Sequence, residues 1–149
     1  MDTYKQVHLM GLRGFHAAAI FYDFEAAFLS LAHSYLHATL EHLGIPRSFR
    51  CLVRCLCWGH GCTLVVDQQR YPGFVIESGI RQGCPLSPLL FAVVGDILLC
   101  KLLRYFPTAA VRASADDLCT VLPNVRVALR PLSFLFVDFA HASRLHFNL

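Results

Sequence analysis

The chain has little charge. Only 15% of its 149 residues are Asp, Glu, Lys or Arg, against 56% hydrophobic. That balance excludes a disordered chain, which cannot bury enough apolar surface to offset the entropy of ordering. The net charge of +3 is mild; it is compatible with nucleic acid without demanding it. The mean hydropathy of +0.50 raises the question of a membrane, yet the sequence has no uninterrupted apolar run of the about 20 residues that a spanning helix needs. The best candidate, 86–103, contains Asp96 and Lys101. The opening Met1-Asp2-Thr3-Tyr4-Lys5 lacks the basic-then-apolar order of a secretory signal. The expectation is an intracellular protein, not secreted and with no membrane partner. Its core then calls for more partner surface than the chain supplies. Internal repeats, low-complexity tracts and linkers are also lacking, and the length suits one domain.

Seven cysteines make an odd number, which disfavours a disulfide framework and favours a reducing compartment. Cys51, Cys55, Cys57, His60 and Cys62 do cluster in sequence. Thiolates and imidazole bind zinc, but the spacing has no Cys-x-x-Cys pair and no second knuckle. A small structural zinc protein built on Cys55, Cys57, His60 and Cys62 is therefore one alternative. The other is that Cys51 and Cys55 are small apolar residues on one helix face.

What the chain does have is Gly79-Ile80-Arg81-Gln82-Gly83-Cys84-Pro85-Leu86-Ser87-Pro88-Leu89-Leu90-Phe91. Two glycines permit backbone geometry and close approach that a side chain forbids. Two prolines fix φ as suits a turn and then the first turn of a helix, with Ser87 as its cap. This predicts a rigid polar loop opening into a buried helix over 89–105, ended before Pro107. Upstream, 15–24 is a short apolar run ending in an acid, as in a buried strand carrying Asp23 at its C-terminal end. Helical spacing follows over 25–43, with Gly44 as a stop. A second helix runs from about Pro46 to Trp58; its Arg47, Arg50 and Arg54, three and four apart, form a basic stripe. That stripe is either a solvated face or a contact for a nucleic-acid backbone. Residues 63–66 and 74–76 predict a hairpin with Asp67, Gln68, Gln69 and Pro72-Gly73 between its strands. Residues 109–113 and 118–122 predict a strand pair turning across Ser114-Ala115-Asp116-Asp117. Residues 125–145 read as helix, shortened or kinked by Pro131. The order predicts an α+β domain with helices packed on one face of an antiparallel sheet.

Asp116 and Asp117 are adjacent acids at a tight turn. Holding two carboxylates together is costly unless a cation neutralises them. If the strand ending at Asp23 lies beside that turn, three carboxylates converge on one edge. Such oxygen ligands suit Mg²⁺, which takes substrate phosphates for its other positions. Two ions about 4 Å apart can clamp an in-line phosphoryl displacement. An isolated Asp-Asp pair is otherwise an exposed turn.

At these residues the chain resembles the reverse transcriptases of non-LTR (LINE-type) retrotransposons. Arg81 to Phe91, Arg-Gln-Gly-Cys-Pro-Leu-Ser-Pro-Leu-Leu-Phe, resembles motif B. Phe21-Tyr22-Asp23-Phe24-Glu25-Ala26-Ala27-Phe28 is similar to motif A, and Ala113-Ser114-Ala115-Asp116-Asp117 to motif C. Phe139 to Leu149 is similar, less closely, to the helix and strand of motif D. The resemblance implies a polymerase palm and RNA-directed DNA synthesis: two-metal nucleotidyl transfer from dNTPs onto a primer 3′-OH. Its implied cofactor is Mg²⁺ (or Mn²⁺), and its partners are an RNA template, a DNA primer and dNTPs. It implies that Asp23, Asp116 and Asp117 bind the metals with the Phe24 carbonyl assisting. Phe28 takes the aromatic position that excludes a 2′-hydroxyl. Gln82 and Gly83 border the nascent base pair and template, and Arg81 also contacts nucleic acid.

The departures have consequences as well. Ser114 stands where the family commonly has an aromatic residue, Leu29 where many members have an acid, and the motif D lysine would come just after Leu149. Residues 1–14 read as a remnant of the fingers and 15–149 as palm, with fingers and thumb largely missing or supplied by another chain. Weak activity or none is expected of the fragment alone. A non-catalytic RNA- or protein-binding remnant using the arginine stripe is a further alternative. Members of this family act on nuclear DNA, so the nucleus is the compartment the resemblance suggests.

Overall fold

The computed structural model describes residues 16–114 and 117–148. The proposed fingers remnant at 1–14 and the predicted metal ligand Asp116 lie outside them. In chain order the elements are β1 (Ala18–Phe24), α1 (Ala27–Ser30), α2 (His33–His42), α3 (Arg47–Cys57), β2 (Gly61–Val66), β3 (Gln69–Val75), α4 (Ser87–Tyr105), β4 (Ala110–Ser114), β5 (Asp117–Leu122), α5 (Val125–Ser143) and β6 (Phe147–Asn148). Strands β4, β5, β1 and β6 form one antiparallel sheet in that order; β2 and β3 form a separate two-stranded one.

Period-2 alternation decides which face of the sheet is covered. On β1, Tyr22 and Phe24 are buried while Phe21 and Asp23 are exposed. Tyr22 and Phe24 face the helices, joining Leu118 and Leu122 of β5, Leu90, Phe91, Val94 and Leu98 of α4, and Phe136 and Phe139 of α5. The buried Tyr22 hydroxyl meets Thr120 Oγ1 at 3.0 Å, so burying it leaves no orphan. Burial still pushes the Tyr22 pKa up, with the Thr120 bond opposing it. Helices thus cover one face, the palm-like α+β arrangement that the order of elements predicts; the other face is open at Phe21, Asp23 and Asp117, while Cys119 and Val121 on it are buried. None of the helices among the described residues is long and apolar enough to cross a membrane. Asp96 lies on the exposed side of α4, and Lys101 is ion-paired to Asp138 of α5 at 3.0 Å.

Three predicted elements differ. The helix expected over 25–43 is interrupted at Leu31 and Ala32. Gly79 N donates to Leu31 O at 2.8 Å, Ile80 N to Phe28 O at 2.7 Å, and Ala32 N to Ser143 O at 2.9 Å. Two carbonyls and an amide that a continuous helix would consume internally are committed to distant segments. The hairpin turns at Asp67-Gln68, both at positive φ (49° and 64°), a two-residue loop whose twist suits the flanking strands. Pro72 and Gly73 lie inside β3, where Thr63 faces Pro72 beside a bulge. Finally, α5 runs through Pro131 without being shortened. The carbonyl deprived of its bond belongs to Val127, on the exposed side, where water can replace the missing donor.

Candidate active site

The open face of the sheet carries one row of side chains across all four strands. Asp23 pairs with Asp117 in the β1–β5 register, Asp117 with Ser114 in β5–β4, and Asp23 with Asn148 in β1–β6. The row therefore reads Ser114, Asp117, Asp23, Asn148. Directly opposed residues of an antiparallel pair have Cβ atoms about 5 Å apart, and like charges there are destabilising. Asp23 and Asp117 are both exposed, and among the described residues neither is in a salt bridge. The sheet thus holds two carboxylates in mutual repulsion, an arrangement that a cation would relieve. Their hard oxygens suit Mg²⁺ or Mn²⁺. With Asp116 outside the described residues, no three His, Cys, Asp or Glu side chains converge among those described.

Asn148 gained no role from the sequence. Its Nδ2 donates to Asp23 Oδ2 at 2.9 Å. These residues are 125 positions apart, so only the β1–β6 pairing could reveal the contact. Phe24, expected to assist through its carbonyl, turns its ring inward, 4.2 Å from Phe147 and 5.8 Å from Phe91 between centroids. Phe28 is half-buried and stacked on Phe91 at 5.1 Å. It lines a cavity of about 420 Å³ with Phe24, Pro88, Phe91 and Leu118, and Asp117 stands at the same cavity. The aromatic position and the acid therefore border one space.

The 79–87 loop is tied down at both ends. His33 Nε2 lies 2.7 Å from Gly79 O; a carbonyl only accepts, so the Nε2–H tautomer donates. Gly79 has φ +89°, and a Cβ there would stand 2.7 Å from Leu29 O. Gly83 also has positive φ (81°), but open space surrounds its Cα; the close approach expected of both glycines belongs to Gly79 alone. Ser87 is the first helical residue rather than the cap. Its Oγ donates to Arg81 O at 2.6 Å, stapling the loop across the turn that presents Arg81, Gln82 and Gly83, all exposed.

The arginine stripe divides. Arg50 is paired with Glu41 of α2, whose pKa the guanidinium lowers. Arg54 lies 5.9 Å over the Trp58 ring, and Arg47 is exposed. Two of the three are thus engaged within the protein. The zinc alternative does not hold. Cys55, Cys57, His60 and Cys62 do not converge as a metal site, and His60 Nε2 lies 3.1 Å from Cys55 O.

The sequence model of the family described as reverse transcriptase (RNA-dependent DNA polymerase) matches residues 3–149. A retrovirus-related Pol polyprotein from the type-2 retrotransposable element R2DM of Drosophila melanogaster is 33% identical over 136 residues, 85% of this chain and 12% of that protein. The transposon TX1 uncharacterized 149 kDa protein of Xenopus laevis is 28% identical over 110 residues, 74% of this chain and 8% of that protein. The chain thus spans a small part of the curated relatives it matches. Among solved structures, telomerase from Candida tropicalis, in complex with a fragment of telomeric RNA, superposes with a TM-score of 0.72 at 12% identity. That match covers 99% of this chain and 28% of the telomerase. The Candida albicans telomerase gives 0.71 at 10% identity, covering 99% and 30%. At such identities the likeness is one of fold.

Proposed function

The chain belongs to the reverse transcriptase family, as a domain of the non-LTR retrotransposon type, and from that premise we propose that its open sheet face is the site of RNA-templated DNA synthesis. The observation that carries the reading is the direct cross-strand pairing of Asp23 with Asp117, unrelieved by any salt bridge among the described residues. Asp23 and Asp117, with Asp116, would hold Mg²⁺ (or Mn²⁺), and the Phe24 carbonyl would add a further oxygen. Bound there, the ions would acidify the primer 3′-OH and stabilise the departing pyrophosphate.

The remaining work falls to the chain's own groups. Phe28, held by its stack on Phe91, would place its ring beneath the incoming sugar, leaving room for hydrogen but not for a 2′-hydroxyl. The stapled loop holds Gln82 and Gly83 against the nascent base pair, and Arg81 against a backbone phosphate. The partners are then an RNA template, a DNA primer and dNTPs. An RNA- or protein-binding remnant relying on Arg47, Arg50 and Arg54 gains no support from a stripe in which Arg50 and Arg54 already have partners.

Mg²⁺ titration by calorimetry, paired with primer extension on an RNA template, tests the proposal. Wild type should bind saturably and, as the chain alone, incorporate dNTPs only weakly; Asp23→Asn with Asp117→Asn should lose the binding and any incorporation. Equal metal binding by wild type and the double variant would overturn the assignment of the site.

A further inference from the structure

Asp23 has two carboxylate oxygens, and the sheet treats them differently. Oδ2 accepts a hydrogen bond from Asn148 Nδ2 at 2.9 Å, while Asp117 faces Asp23 from the opposite neighbouring strand. A carboxylate on an exposed strand end is ordinarily free to rotate about its terminal torsion. Here a donor on one side leaves Oδ1 as the oxygen available for anything lying between Asp23 and Asp117. The donor is itself held, because Asn148 is in register with Asp23 and its neighbour Phe147 pairs with Phe24. The Phe147 ring packs 4.2 Å from Phe24 and 4.4 Å from Phe136. The carboxamide is thus fixed by backbone pairing and an aromatic anchor rather than by its own exposed side chain. It also brings no second negative charge, as an Asp at 148 would.

From this juxtaposition we infer that Asn148 is a positioning residue for the metal site. Its carboxamide locks one oxygen of Asp23 and presents the other toward Asp117, so that a divalent cation meets a pre-oriented pair. This rests on the proposed metal-binding role of Asp23 and Asp117. Partners that orient metal ligands in this way typically contribute about 10- to 100-fold to metal affinity.

Two measurements on the full 149-residue chain test it. In metal-free buffer, the Asn148 side-chain amide resonances should shift on Asp23→Ala, since the bond exists before any ion binds; unmoved resonances would overturn the inference whatever the metal does. The second is Mn²⁺ affinity by electron paramagnetic resonance. Asn148→Leu, which keeps the size and removes the donor, should weaken binding about tenfold. Asn148→Gln, which restores a donor, should recover part of it. In an Asp23→Asn background, Asn148→Leu should have no further effect, because a residue acting through Asp23 has nothing left to act on. Wild-type affinity in Asn148→Leu, with binding still abolished by Asp23→Asn plus Asp117→Asn, would overturn the positioning role and leave the metal site standing. No Mn²⁺ binding by wild type would overturn both.

Discussion

Gly79 is where a single hydrogen atom decides the geometry of the 79–87 loop. Its φ of +89° and the 2.7 Å that would separate an added Cβ from Leu29 O act together, whereas Gly83 has the φ without the clash. A left-handed conformation costs an L-residue about 1–2 kcal/mol. Gly83→Ala should therefore lose about that much stability in urea unfolding. Gly79→Ala should lose clearly more, since it must also push the loop off the α1–α2 junction, breaking the bonds from Gly79 and Ile80 to Leu31 and Phe28. Equal losses in the two variants would show that the close approach contributes nothing. At this scale the sequence was informative about residue types and silent about partners. The sequence pattern assigns the same freedom and close approach to Gly79 and Gly83 and does not tell them apart. Which atom crowds Gly79, and that Ser87 staples Arg81 O rather than capping the helix, depends on backbone positions no local pattern encodes.

Elements were legible where periodicity was undisturbed, as in β1, α3, α4 and β5. They depart from the local pattern where tertiary hydrogen bonds override local preference. The break at Leu31–Ala32 exists because the 78–80 segment and the end of α5 take that junction's hydrogen bonds, and those segments lie far along the chain. In the hairpin, Pro72-Gly73 resembles a turn. Yet Gly73 serves a close approach in which an added Cβ would sit 2.6 Å from Cys62 O, and the turn itself falls on Asp67-Gln68. The hairpin is also the least supported element. Val65, Phe74 and Val75 are each more than 60% exposed, and every residue of β3 is exposed. A two-stranded ribbon without a covering layer is marginal in water. Amide hydrogen exchange should show β2 and β3 opening locally, with protection at least about 100-fold below that of β1 and β5. Protection equal to the central strands would mean that the hairpin is covered in solution.

At the scale of the molecule, the candidate site is a consequence of strand order. Motifs A, C and D are far apart in sequence, and the order β4-β5-β1-β6 is what sets Ser114, Asp117, Asp23 and Asn148 in one row. The resemblance points to Asp23, Asp116 and Asp117; the pairing of Asp23 with Asp117, and of Asn148 with Asp23, is visible only in the register. The core and the site are consequently coupled through β6. Phe147 is pinned among Tyr22, Phe24 and Phe136, with centroids at 5.9, 4.2 and 4.4 Å, on the covered face, while Asn148 projects from the open one. Phe147→Ala removes the anchor that holds a two-residue strand in register. Truncating a core Phe costs about 3–5 kcal/mol, and for this half-buried ring the low end, about 3 kcal/mol, is expected in thermal or urea unfolding. The more telling outcome is at the site. If β6 is held chiefly by this ring, Asn148 will no longer meet Asp23, and Mn²⁺ affinity should fall by the same factor as in Asn148→Leu although the substitution lies on the opposite face. Loss of stability with unchanged affinity would mean that backbone pairing with β1 holds β6 without the ring, and that the core and the site are independent.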